Sequence, residues 1–126
     1  MGLDQYAYFV NGSRVIDDFS FRKDEGQTTE EDFYWRKNRH LQGWMEDLYH
    51  RKGGQEEFNC QFVRLKEKDL DELEKAIKAR SFEDAKGFFW GNRKYDDGQA
   101  TTDLRFVERA KESISNGKAV YYFSWW

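Results

Sequence analysis

Residues Gln5 to Val10, QYAYFV, read as a β-strand, and the Asn11-Gly12 dipeptide that follows is the strongest short turn signal in the chain, so a hairpin is expected there. Val15 to Phe21 alternates imperfectly, with Val15, Phe19 and Phe21 on one face, before the polar run Arg22 to Thr29 supplies a loop. From Phe33 the period lengthens. Leu41, Trp44, Met45 and Leu48 recur at helical spacing on one face, and Lys52 with Gly53-Gly54 supplies a basic last turn and a left-handed cap. Phe58 to Leu65 alternates as a buried strand, with Cys60 as a small core residue. Asp69, with Glu72 at the capping-box position, opens a second helix with the inner stripe Leu70, Leu73 and Ile77, ending near Arg80. GFFWG, Gly87 to Gly91, suggests a short strand or tight turn. Thr101 or Thr102 caps a third helix with the stripe Leu104, Val107 and Ile114, stopped by Asn116-Gly117. Ala119 to Trp126 is apolar enough to lie inside a sheet and not at its edge. The pattern predicts a single α+β domain over residues 1–126: a mixed or mainly antiparallel sheet of about four to five strands packed by three helices.

Composition adjusts this picture in two ways. Hydrophobic residues make up only 38% of the chain and charged ones 36%, a balance that alone would suit disorder, but 18% aromatic residues supply large rings for a core. The net charge of −3 and pI near 5.5 give no global attraction to polyanions, so neither DNA nor RNA is expected as a partner. A single cysteine excludes an intrachain disulfide and fits a reducing cytosol. No apolar run approaches the roughly 20 residues of a membrane span and MGLDQYAYFVNG does not read as a secretory start, so a cytoplasmic protein without a membrane partner is expected.

Local charge is uneven. Residues 17 to 32 are acidic, whereas Phe33 to Lys52 reverses the sign through Arg36, Lys37, Arg39, Arg51 and Lys52. Tyr34-Trp35-Arg36-Lys37-Asn38-Arg39-His40, with Trp44 beyond it, offers rings for stacking, cations for phosphate or carboxylate, and an amide for base edges. On a helix, Trp35, Asn38 and Arg39 would share one side, and Arg36, His40 and Trp44 the adjoining one. The competing account makes Trp35 and Trp44 core and leaves the basic side chains to solvent. The expected ligand-binding set is Trp35, Arg36, Lys37, Asn38, His40 and Trp44, with Trp90 or Trp125 and Trp126 closing the pocket.

Other chemistry is thin. His40 and His50 lack a third ligand at metal spacing, so neither metal nor cofactor is expected. His40 could move a proton with Glu46 or Asp47 as the orienting carboxylate. Asp96-Asp97, with Asp103 nearby, could hold a divalent cation, though an acidic turn explains them more simply. The phosphate-loop, dinucleotide, GxSxG and HExxH patterns are absent.

The opening MGLDQY, the segment FYWRKNRHLQGW, GFFWG and the terminal YYFSWW together resemble a family of small bacteriophage proteins along nearly the whole chain. Some of its members carry the label phosphoglycerate kinase, but 126 residues without a phosphate loop cannot supply two lobes and glycine-rich nucleotide loops. The resemblance implies a viral accessory protein working in the host cytosol, by host takeover or counter-defence. The leading expectation is a binding protein for a small phosphorylated or nucleotide ligand, sequestering a host immune signal. The alternatives are an inhibitor that masks a host enzyme, through the acidic stretch Asp17 to Asp32 or an exposed aromatic patch, and a small phosphodiesterase-type hydrolase built on His40.

Overall fold

The computed structural model describes residues 2–22, 33–79 and 95–126, so the expected GFFWG element, Trp90 and residues 23–32 of the acidic stretch lie outside the described residues. In chain order the elements are β1 (Asp4–Asn11), a 3-10 turn (Gly12–Arg14), β2 (Val15–Asp17), β3 (Ser20–Phe21), β4 (Phe33–Arg36), α1 (Arg39–Arg51), β5 (Gln61–Leu65), α2 (Glu67–Ala79), α3 (Asp97–Ser115) and β6 (Lys118–Trp125). Four strands make one sheet in the order β4-β1-β6-β5, antiparallel throughout, and β2 and β3 form a separate ribbon. This is the expected α+β class, with β6 inside the sheet as its apolar sequence requires.

The hairpin expected at Asn11-Gly12 does not form. Gly12 instead donates its N–H to the Gly117 carbonyl at 3.0 Å, and β1 takes β6 and β4 as its neighbours. A Cβ at Gly12 would stand 2.7 Å from that carbonyl oxygen, so the glycine serves a close backbone approach between the ends of β1 and β6.

Period-2 alternation sorts the sheet's side chains onto two faces. The helix-side face carries Ala7, Trp35, Val63, Leu65, Val120 and Tyr122, packed under Leu41, Met45 and Leu48 of α1, Leu70, Leu73 and Ile77 of α2, and Phe106 and Val107 of α3. On the opposite face the register aligns Tyr34, Tyr6, Phe123 and Phe62 in one row across all four strands, with neighbouring ring centroids at 5.2, 6.4 and 4.6 Å. The ribbon covers one end of this face through Phe21, which packs with Val10, Ala119 and Tyr121. Tyr121 fastens it by donating its hydroxyl hydrogen bond to the Asp17 and Ser20 carbonyls. The outer edge of β5 is closed at Arg64, whose N–H donates to the Asp18 carbonyl at 2.8 Å and whose carbonyl accepts from Lys52 Nζ at 2.5 Å.

Two helix starts differ from the expected ones. Asp69 lies in the first turn of α2, where its carboxylate accepts the Lys66 N–H at 2.9 Å and pairs with Lys52 at 2.8 Å. α3 begins before Thr101: Asp96 is its cap, and a reciprocal box with Gln99 satisfies two backbone N–H groups. Both threonines instead return their hydroxyls to carbonyls one turn back. Cys60 is exposed, contrary to the buried position expected from alternation. Its left-handed backbone, φ 61°, precedes β5 and turns the side chain out of the strand pattern. Among the described residues no helix is long and apolar enough to cross a membrane.

Candidate site at the edge of β4

The segment expected to be helical from Trp35 onward is strand up to Arg36. Phe33-Tyr34-Trp35-Arg36 is rich in β-forming rings and pairs with β1 from Asp4 to Ala7. Lys37 then takes a left-handed conformation, φ 57°, and Asn38 caps α1 by accepting the Leu41 N–H at 3.2 Å. Trp35, Asn38 and Arg39 therefore share no helical side, and Arg36 is parted from His40 and Trp44, which remain one turn apart on α1.

Beneath this turn lies a buried polar network. Gln5 Nε2 donates to the Asn38 carbonyl at 2.9 Å and to the Tyr122 hydroxyl at 2.8 Å, while Gln5 Oε1 accepts the Asn38 N–H. Tyr122 in turn donates to Gln42 Oε1 at 2.5 Å. Asp103, from α3, accepts from Trp35 Nε1 at 2.9 Å, from Asn38 Nδ2 at 3.0 and 3.1 Å, and from the Tyr95 hydroxyl. Burial pushes its carboxyl above the ordinary value, opposed by these three donors and by the charge of His40. Trp35 and Asn38 are thus consumed by structure: their polar atoms point into the network that holds the β4–α1 turn on α3.

Above the network a cleft of about 430 Å³ runs between β4 and the start of α3, lined by Tyr34, Trp35, Arg36 and Asn38 on one side and by Asp96, Gly98, Gln99 and Thr102 on the other. The β4 wall is the outermost strand of the sheet. Lys37 donates its N–H to the Leu3 carbonyl, and in an antiparallel ladder this fixes the phase: Trp35 and Phe33 direct their backbone groups at β1. Tyr34 and Arg36 direct theirs outward, along the cleft, and nothing among the described residues bonds to them. Their side chains are exposed, and Arg36 makes no ion pair among the described residues. Tyr34 donates its hydroxyl to Asp4 at 2.5 Å, which pushes the phenol above its ordinary value.

Of the six expected ligand residues, the cleft gathers Trp35, Arg36 and Asn38. Lys37 is exposed beside it. His40 packs edge-on to Tyr95 at 5.6 Å, on the Asp103 side, and Trp44 packs against the core. Asp47 pairs with Arg51 at 2.8 Å, and the carboxylate whose ionisation His40 influences is Asp103. Trp126 hydrogen-bonds to Asn59 and to the Phe58 carbonyl, and Trp125 to Tyr6, so neither terminal ring lines the cleft. No group of three or more metal-ligating side chains occurs among the described residues. Sequence reasoning named Tyr34 in the constellation but left it out of the ligand set, where the ring-rich β-forming run before Asn38 was the available signal, and it missed Gly98, Gln99 and Thr102, for which the sequence held no signal. No family model matches the chain, and no curated protein or solved structure matches it.

Proposed function

We propose that this chain is a binding protein that captures an extended polypeptide segment by adding it as a further strand beside β4. The observation that carries this reading is the pair of outward N–H and C=O groups on Tyr34 and Arg36, open along a cleft whose far wall is the start of α3. An edge strand with a helix alongside supplies main-chain hydrogen bonds for affinity and side-chain contacts for choice. The resemblance to small bacteriophage proteins supports a host protein as the source of the segment and the host cytosol as the place. Masking that segment would inhibit its owner without any turnover by this chain.

A small phosphorylated or nucleotide ligand is the second reading, favoured by the exposed ring of Tyr34 and the Arg36 guanidinium on one cleft wall. Against a phosphate stands Asp96 on the other wall, because its carboxylate already satisfies the N-terminus of α3.

Backbone amide spectra separate the two. A captured segment should slow hydrogen exchange at the Tyr34 and Arg36 amides, and N-methylation of the peptide groups that face them should abolish binding. Binding that survives N-methylation, or that leaves both amides unprotected, overturns strand addition. A nucleotide present at a hundred times its Kd would raise stability by about 2.7 kcal/mol without that protection.

A further inference from the structure

We infer that the segment captured at β4 runs antiparallel to it and carries an acidic residue two positions before an aromatic one. This rests on the strand-addition reading above and specifies the chemistry of its partner. A strand paired antiparallel with the outward groups of β4 places one residue directly opposite Arg36 and, two positions later in its own direction, one opposite Tyr34. Side chains directly opposite share a face. The residue across from Tyr34 therefore extends the row of rings formed by Tyr34, Tyr6, Phe123 and Phe62 beyond the present edge of the sheet. The residue across from Arg36 meets a guanidinium that has no ion pair among the described residues.

The inner neighbour of β4 shows the same two side chains matched in this way. β1 presents Asp4 opposite Arg36 and Tyr6 opposite Tyr34, antiparallel, in the order Asp4-Gln5-Tyr6. The Tyr6 and Tyr34 ring centroids lie 5.2 Å apart, and Tyr34 donates its hydroxyl to Asp4. Asp4 Oδ1 accepts that hydroxyl and no ion pair joins Asp4 to Arg36 among the described residues, so the guanidinium of Arg36 is open to a carboxylate arriving from the other side. The residue between the two anchors turns to the helix-side face, toward Gln99 and Thr102, where hydroxyl and amide groups set a polar boundary.

The test uses the full chain and four fluorescein-labelled eight-residue peptides of otherwise identical sequence, centred on Glu-Thr-Phe, Lys-Thr-Phe, Glu-Thr-Ala and the reversed Phe-Thr-Glu. Glu-Thr-Phe should bind tightest, with Lys-Thr-Phe weaker by about tenfold, since exchanging an opposed pair for a like-charged one acts across adjacent strands. Arg36→Glu, at an exposed position, should invert the order of Glu-Thr-Phe and Lys-Thr-Phe, whereas Tyr34→Ala should erase the preference for Phe over Ala and keep that for Glu over Lys. An unchanged charge order in Arg36→Glu overturns the inference, as does tightest binding by the reversed peptide. Equal binding of all four peptides with protected Tyr34 and Arg36 amides sinks the inference and leaves strand addition standing. No binding by any peptide, or a stable dimer in sedimentation that buries β4 against a second copy, removes both.

Discussion

The indole N–H of Trp35 donates to the carboxylate of Asp103 at 2.9 Å, and both groups are buried. This contact, joined by the amide of Asn38 and the hydroxyl of Tyr95, fastens the end of β4 to α3 across a cleft that both elements line. Asp103→Ala should therefore cost about 3 to 5 kcal/mol, because two buried donors and a partly buried one lose their acceptor together. Chemical denaturation measures it, and a loss below about 1 kcal/mol would mean that water replaces the carboxylate.

Asp103 also sets a pH dependence of unusual sign. Burial holds its folded-state value above the ordinary 3.8, so between the two values the folded chain binds more protons than the unfolded one and stability falls as pH rises. Asp17 runs the other way, lowered first by the Phe19 backbone N–H and then by the Ser20 hydroxyl, so its contribution is lost as pH falls. Carbon-detected titration should place Asp103 above 3.8 and Asp17 below it. The stability of the wild-type chain relative to Asp103→Asn should shrink as pH rises through the window just above 3.8.

Tyr122 and Gln42 form a pair whose separate removal costs more than joint removal. Tyr122→Phe leaves Gln42 Oε1 without its donor, beside a Gln42 Nε2 that already lacks a partner among the described residues, and should cost about 1 to 2 kcal/mol. Gln42→Leu deprives the tyrosine O–H of its acceptor at a similar cost, while the hydroxyl oxygen still accepts from Gln5. The double variant replaces both ends with apolar atoms, so a double-mutant cycle should return a coupling of about 1 kcal/mol or more. Simple additivity would refute the pairing.

Gly54→Ala should destabilise by about 1 to 3 kcal/mol, because its Cβ would meet the buried Tyr49 ring at 2.3 Å. Gly53→Ala meets no atom but sits at φ 107°, so its cost, about 1 kcal/mol, is that of the backbone alone. Thermal unfolding of the two alanine variants should rank Gly54→Ala as the more damaging.

The exposed thiol of Cys60 should react fully with an aromatic disulfide reagent in the folded chain, without denaturant. Reaction that waits for unfolding would return Cys60 to the core position its alternation suggests.

Much of the architecture was legible where one period dominates a long stretch. Leu41, Met45 and Leu48 on α1, Leu70, Leu73 and Ile77 on α2, and the apolar run of β6 are buried as their spacing requires. What failed was local and steric. Nothing in the residue type of Lys37 announces a left-handed backbone, yet that one residue separates strand from helix and takes Trp35 and Arg36 off the helical wheel. The site was half legible: ring and guanidinium side chains at Trp35 and Arg36 can be read from sequence, whereas the opposing wall comes from α3, a segment distant in sequence. The cap at Asp96 was hidden because two threonines downstream offered an equally good hydroxyl.

The closure of β5 at Arg64 gives the sheet a direction. The Arg64 N–H and C=O are both taken, by Asp18 and Lys52, so at that residue the edge of β5 has no main-chain group left for a newcomer, whereas the outward groups of Tyr34 and Arg36 on β4 bond to nothing among the described residues. On the strand-addition reading, a molecule that takes a partner at β4 alone behaves as a stopper in any chain of paired strands. It binds once and then terminates growth, so a preparation mixed with its partner segment at high concentration should hold one-to-one complexes and no fibres.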